Sequence, residues 1–227
     1  MKKSIFKFPY YLLIIPLILA YFAKSGYGFV FKAGVPGSCI LILVFLHRKV
    51  LSTISDVWYV FAAFFFSIIG DWFLSNKGDS FIMFSLGISF FFIAHVGYLG
   101  FALANGKLHK FFTVVLLSGY IVFFFLCMFP AINDTVLLIA TFLYLLISCF
   151  SFGAAFGIKL KPVVKWSYFL GITFVLFSDT IIALSEFTKY RELNFLILPT
   201  YYAAHIIITF AIMKKIYYKA NIAIYKK

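Results

Sequence analysis

The chain has 227 residues, of which 64% are hydrophobic and only 12% charged, and its mean hydropathy is +1.06. A soluble domain carries nearer ~45–50% apolar and ~25% charged residues, and a globule of this length lacks the interior to hide so much Leu, Ile and Phe from water. These figures exclude a soluble enzyme or binding module and predict an all-α polytopic membrane protein.

Apolar runs of about membrane-spanning length follow one another along the chain. The first runs from Phe8 to Ala23, and Pro16 is expected to kink it. Lys2, Lys3 and Lys7 look like the start of a signal peptide, but AYFAK around Ala23 offers no small-x-small cleavage site, so the run reads as a retained helix. The second, Ala33 to Leu46, is short, and Gly34, Pro36 and Gly37 predict a tilted or irregular start. Six more follow: Val57 to Leu74, Phe81 to Ala104, Phe111 to Phe129, Thr135 to Ile158, Trp166 to Phe187 and Phe195 to Met213. The sum is eight transmembrane helices in one integral membrane domain, 1–227, with no room for a soluble unit. The segment 214–227, KKIYYKANIAIYKK, alternates Lys with Tyr and Ile and is expected to lie in the interface.

With eight spans, both termini share a side with the loops after the second, fourth and sixth helices. That side holds Lys2, Lys3, Lys7, Arg48, Lys49, Lys107, Lys110, Lys159, Lys161, Lys165, Lys214, Lys215, Lys219, Lys226 and Lys227, which is 15 of the 20 basic residues. Lys24, Lys32, Lys77, Lys189 and Arg191 fall on the other. The positive-inside rule therefore predicts a multi-pass protein of the cell's inner (cytoplasmic) membrane with both termini cytoplasmic. The net charge of +13 flanks membrane helices, so anionic lipid headgroups rather than nucleic acid are the expected partners. Cys39, Cys127 and Cys149 are odd in number and show no CxxC spacing, and they read as small apolar residues.

The two halves share a pattern. FSIIGDWFL in the third helix stands beside LFSDTIIAL in the seventh, and FIAHVGYLGF in the fourth beside YYAAHIIITF in the eighth. Asp71 and Asp179 are 108 residues apart, and His95 and His205 are 110 apart. Residues 1–110 and 111–213 thus read as two four-helix units which, four being even, enter the membrane in the same direction: a parallel repeat about an axis along the membrane normal.

Asp71 and Asp179 carry the chemical interest. The other acidic residues lie in loops (Asp56, Asp79, Asp134, Glu192) or close the seventh helix (Glu186). A carboxylate at a helix centre costs about 2.5–3.5 kcal/mol on insertion scales. Pinning helices together is the bland explanation for one such Asp, and it is weaker for two at matched depth, each beside a Ser or Gly (Ser67, Gly70, Ser178) that permits close approach. Two neighbouring buried carboxyl groups do not both ionise easily, and such a pair supplies one acid and one base. His95 and His205 each head a polar stripe: Tyr98 is at i+3 from His95, while Tyr201, Tyr202 and Thr209 share a face with His205. Counting along the helices places His205 near the depth of Asp179 and His95 too deep to reach Asp71. Two Asp and two His could also hold a metal, although no HxxxH or HxxE spacing is present. Asn76, Lys77 and Arg191 lie on the outer side, within reach of a phosphate headgroup.

These strings resemble the YhhN family, a group of eight-helix membrane proteins that includes the lysoplasmalogenases. The resemblance spans about Phe61 to Met213 and rests on GD-x-x-L at Gly70 to Leu74, A-H-x-x-Y at Ala94 to Tyr98, and S-D at Ser178 and Asp179. In the eighth helix Tyr201, Tyr202, Ala203, Ala204 and His205 stand where a YY-x-x-Q-like element is expected, with His in place of Gln. The resemblance implies hydrolysis of the vinyl ether of a lysoplasmalogen to a fatty aldehyde and a glycerophospho-ethanolamine or -choline. Such a reaction needs an acid to protonate the ether's β-carbon and a carboxylate to stabilise the resulting cation and activate water, the division of labour that glycosidases use. It requires neither metal nor nucleotide cofactor. Asp71 and Asp179 are the expected pair, with Ser178, His95, Tyr98, Tyr202 and His205 orienting them or binding the ether oxygen, and Asn76 near the headgroup. A proton-coupled small-solute transporter, a metal-dependent lipid hydrolase and a structural scaffold remain alternatives on the residues alone.

Overall fold

The computed structural model describes residues 9–47 and 54–225. Lys2, Lys3, Lys7, Arg48, Lys49, Lys226 and Lys227, counted above for orientation, lie outside the described residues, as does Phe8. Among the described residues the chain forms eight α-helices: α1 (Ile14–Lys24), α2 (Phe29–His47), α3 (Val57–Ser75), α4 (Phe81–Ala104), α5 (Lys110–Phe123), α6 (Thr135–Phe156), α7 (Pro162–Phe187) and α8 (Ile197–Tyr225). The fifth continues through a π-helical segment, Phe124–Met128, and a 3₁₀ turn, Phe129–Ala131. Six stretches are long and apolar enough to cross a membrane: Val57–Ser75, Phe81–Ala104, Lys110–Ala131, Thr135–Phe156, Pro162–Phe187 and Asn194–Ala220. The apolar helices Tyr10–Lys24 and Phe29–Phe45 are shorter. The molecule is a multi-span helical membrane protein.

Several helix starts differ from the sequence expectation, for local reasons. Pro16 stands in the first turn of α1, after a 3₁₀ turn at Tyr10–Leu13. A missing N–H costs nothing there, so the proline begins the α-helix instead of kinking it. Helix α2 starts at Phe29 and carries Gly34, Pro36 and Gly37 inside it, where an irregular start was expected. Helix α7 begins at Pro162, ahead of the apolar run, with the proline in its tolerated first position. The basic stretch after Met213 is no separate segment, since α8 continues without a break to Tyr225. Two loops end in side-chain caps: Ser80 Oγ accepts from the Met83 N–H at 3.3 Å, and Asp134 Oδ1 from the Leu137 N–H at 2.7 Å.

The helices pack as close pairs. Helix α3 lies along α4, α7 along α8, and α6 against α4, while α2 rests on both α3 and α8. At Gly97 of α4 a Cβ would stand 2.5 Å from the Tyr59 carbonyl oxygen of α3, so only glycine allows that approach. Gly171 of α7 has the same part against Ile208 of α8. Small residues that let backbones approach are the usual means of helix association in lipid, where no hydrophobic force drives it. Between the pairs lies a core containing Phe64, Tyr98, Phe101, Tyr168, Ile172 and Ile208.

Each end of the bundle is tied. At one end the turn after α4 bonds to the turn after α6, with Lys159 N–H donating to the Asn105 carbonyl at 2.8 Å. Beside it Lys215 of α8 pairs with Asp56 at the head of α3, and Asn105 Nδ2 donates to the same Asp56 oxygen at 2.5 Å. At the other end Lys77, after α3, pairs with Glu186 of α7 at 3.0 Å. The end of α3 beyond Asp71 is thereby tied to the end of α7 beyond Asp179.

Candidate active site

Asp71 and Asp179 arrive on different helices and line one cavity of about 160 Å³, together with Lys32, Phe91, Ser178 and Tyr201. Asp71 sits one residue after Gly70, where an added Cβ would come within 2.9 Å of the Phe91 ring. The glycine therefore lets Phe91 close over this turn of α3, and Phe91 in turn meets Tyr201 edge-on, with ring centroids 6.1 Å apart.

Each carboxyl group has its own phenol. Tyr201 of α8 donates to Asp71 Oδ2 at 2.9 Å, and Tyr144 of α6 donates to Asp179 Oδ2 at 2.6 Å. His95 Nε2 of α4 lies 3.4 Å from that same Asp179 oxygen, and its ring stands edge-on to Tyr144 at 5.2 Å. With its proton on Nε2, His95 is a second donor to Asp179, where Asp71 has one. Lys32 is the cation of the cavity, and its Nζ also donates to Ser75 Oγ at 3.3 Å.

The other expected site residues distribute as follows. Counting along the helices set His205 near the depth of Asp179 and His95 too deep to reach Asp71; no hydrogen bond joins His95 to Asp71, and the histidine beside Asp179 is His95 rather than His205. His95 reaches Asp179 from α4, with Tyr144 of α6, which packs on both α4 and α7, bonding the same carboxyl oxygen. His205 is fully buried. With its proton on Nδ1 it donates to the Tyr201 carbonyl at 2.9 Å, and its ring packs on Tyr201 and Phe64. It supports the tyrosine that bonds Asp71 and reaches neither carboxylate. Tyr202 is buried with its hydroxyl unpartnered, and Tyr201 rather than Tyr202 makes the bond. Tyr98 is buried at 1% exposure, its carbonyl accepting from Tyr168 at 2.8 Å, and it packs between Phe64 and His95. Ser178 lines the cavity and donates to the Ile197 carbonyl at 3.1 Å, fastening α7 to the first turn of α8. Asn76 is exposed, and its amide donates to the Trp72 carbonyl at 2.7 Å, so it closes the end of α3 outside the cavity.

Sequence reasoning missed Tyr144, Tyr201 as the bonding tyrosine, and Lys32. Lys32 had a usable signal, since it is a cation within a helix on the same side as both carboxylates. Tyr144 had little, being one of 15 tyrosines.

A second cavity of about 70 Å³ begins where the first ends. It shares Leu74, Phe91, Asp179 and Ile182 with the first and runs among apolar side chains of α4 to α7. Asp179 therefore stands between a polar chamber, which holds Asp71 and Lys32, and an apolar one. Among the described residues no three His, Cys, Asp or Glu side chains converge as a metal site would require.

The class is that of a multi-span helical membrane protein with two carboxyl groups facing one cavity inside the bundle. The YhhN family model matches residues 30–212, most of the chain, and the protein belongs to the YhhN family. The match takes in α2 and with it Lys32, beyond the stretch from Phe61 that carried the resemblance in sequence. No curated protein and no solved structure matches the chain.

Proposed function

We propose that this protein is an intramembrane ether hydrolase that cleaves the vinyl ether bond of lysoplasmalogen-type lysophospholipids. The observation that carries the reading is the delivery of Asp71 and Asp179, from two helices, to one cavity that adjoins an apolar chamber. Membership of a family known as lysoplasmalogenase-like supports it.

Asp71, with a single phenol donor, is assigned the proton donor, and Asp179, on which Tyr144 and His95 converge, the carboxylate. Asp71 delivers its proton to the β-carbon of the vinyl ether, the carbon remote from oxygen, and the C=C electron pair forms the new C–H bond. The positive charge that results is shared between the ether oxygen and the adjacent carbon, within reach of Asp179. Water adds to that carbon as Asp179 takes its proton, giving a hemiacetal. The hemiacetal then collapses: Asp71 takes the hydroxyl proton as that oxygen becomes the aldehyde carbonyl, the carbon–oxygen bond to glycerol breaks, and Asp179 gives its proton to the leaving glycerol oxygen, which returns both groups to their starting states. Lys32, which lines the same cavity, meets the phosphate of the headgroup in this reading, and the alkenyl carbons nearest the ether enter the apolar chamber.

The test uses purified protein in detergent with a vinyl-ether lysophospholipid, scoring released aldehyde for wild type, Asp71→Asn and Asp179→Asn. Aldehyde from wild type and a loss of roughly 10²–10⁴-fold in either folded variant is expected, the range set by losing a positioned acid or base. Wild-type protein inert toward vinyl-ether, alkyl-ether and ester lysolipids alike would overturn the reading.

A further inference from the structure

The span Lys110–Ala131 is the least enclosed of the six, with 17% of its most apolar 18 residues buried. Helix α5 rests on α6, and the chain's closest packing on α7 from this span comes from the π segment Phe124–Met128. Between α5 and α7 this leaves a groove of about 370 Å³ on the molecular surface, lined by Val115, Leu116, Gly119, Tyr120, Phe123 and Thr180. Three of these residues, Tyr120, Phe123 and Thr180, also line the apolar cavity that ends on Asp179. Groove, apolar cavity and two-carboxylate chamber are therefore consecutive.

A single hydrogen bond spans the groove. Thr180 Oγ1 donates to the Leu176 carbonyl at 2.7 Å, so in the 2.7 Å contact between Tyr120 and Thr180 the phenol is the donor. Inside the passage one polar group is left over: Thr141 Oγ1, 5% exposed, lines the apolar cavity and has no hydrogen-bond partner. Gly119 lies near the middle of its span, about 14 Å from Lys110 at 1.5 Å per residue. At that depth a groove open to the outside faces the hydrocarbon of the bilayer, where lipid chains are the occupants on offer.

We propose that the groove between α5 and α7 is a lateral portal, through which the hydrocarbon chain of a single-chain lipid passes between the bilayer and the carboxylate chamber. Tyr120 and Thr180 form the latch across it. Thr141 offers its hydroxyl to the one oxygen of a chain that carries a polar end. The portal rests on the reading of the site as a lipid hydrolase, and it supplies that site with a substrate which never has to leave the membrane.

The experiment uses the full chain in phosphatidylcholine nanodiscs and a lysophospholipid with a photoactivatable diazirine near the end of its chain. Labelled peptides are mapped by mass spectrometry in wild type, Gly119→Trp and Val115→Trp. Nothing stands within 4 Å of a Cβ at Gly119, and Val115 is 55% exposed, so both tryptophans enter the groove without disturbing helix packing. Wild type is expected to label within 110–131 and 162–187. Each variant should lose labelling roughly tenfold, the effect of denying burial to about two methylenes, with an unchanged unfolding temperature. Labelling elsewhere, or labelling that both tryptophans leave intact, overturns the portal. So does a wild-type dimer that either tryptophan converts to monomer, because the groove is then a subunit interface. Labelling in the groove without aldehyde production sustains the portal and counts against the hydrolase chemistry, so the two readings fail separately.

Discussion

Asp71 and Asp179 differ less in burial than in what they touch. A phenol from α8 holds one, while a phenol from α6 and an imidazole from α4 hold the other. Removing the Tyr144 hydroxyl takes away a hydrogen bond to a group assigned a charge, a bond of the kind worth about 1.5–3 kcal/mol. Tyr144→Phe should therefore lower kcat roughly tenfold to hundredfold while KM moves little, measured by steady-state aldehyde release. Tyr98→Phe serves as the contrast, because its hydroxyl bonds neither carboxyl group and lines neither cavity, and its kcat should stay within about twofold, a few tenths of a kcal/mol. At this scale the two aspartates were legible in the sequence, since a carboxylate inside an apolar run is expensive and conspicuous. Their phenol partners were not, because tyrosines abound along the chain and only the fold selects two.

Helices meet in this bundle where glycine lets them. Gly97 brings α4 onto α3, and a side chain there would displace backbone. Gly97→Leu is expected to lower stability by about 1–3 kcal/mol, the usual penalty of overpacking, read as a lower unfolding temperature in detergent. Gly70→Ala acts differently. Its added methyl meets the Phe91 ring, a side chain that can yield, and Phe91 leans on Tyr201, the donor to Asp71. Activity should fall more than stability in that variant, and paired aldehyde and thermal measurements check the split. The long apolar runs made α3 to α8 legible, while α1, α2 and the far end of α8 were read less well. Proline in a first turn and glycine within a helix look like breakers in sequence, yet neighbouring helices and a tolerant position override them.

Across the whole molecule the packing pairs correspond: α3 on α4 with α7 on α8, α2 on α3 with α6 on α7, α1 on α2 with α5 on α6, and α2 on α8 with α6 on α4. The site contacts follow the same exchange, with α8 serving the carboxyl of α3 and α4 serving that of α7. Opposite the site, the cluster of Asp56, Asn105 and Lys215 joins α3, α4 and α8, with the ion pair's side chains only 15% and 11% exposed. Lys215→Met strands Asp56 without its cation and should cost about 3 kcal/mol of stability. The double variant with Asp56→Asn should recover part of that loss, so thermal unfolding of both singles and the double forms a closed cycle.

Composition, apolar runs and two carboxylates out of place were enough to establish a helical membrane protein, the family pattern and the residues to suspect, because these signals are local and each is costly unless it has a purpose. Which side chains share a cavity was decided by the fold alone. The depth of His95 against Asp179, the choice of Tyr201 over Tyr202, the nearness of Lys32 and the opening beside α5 all depend on how helices cross, and crossing is set by contacts between residues far apart in the chain.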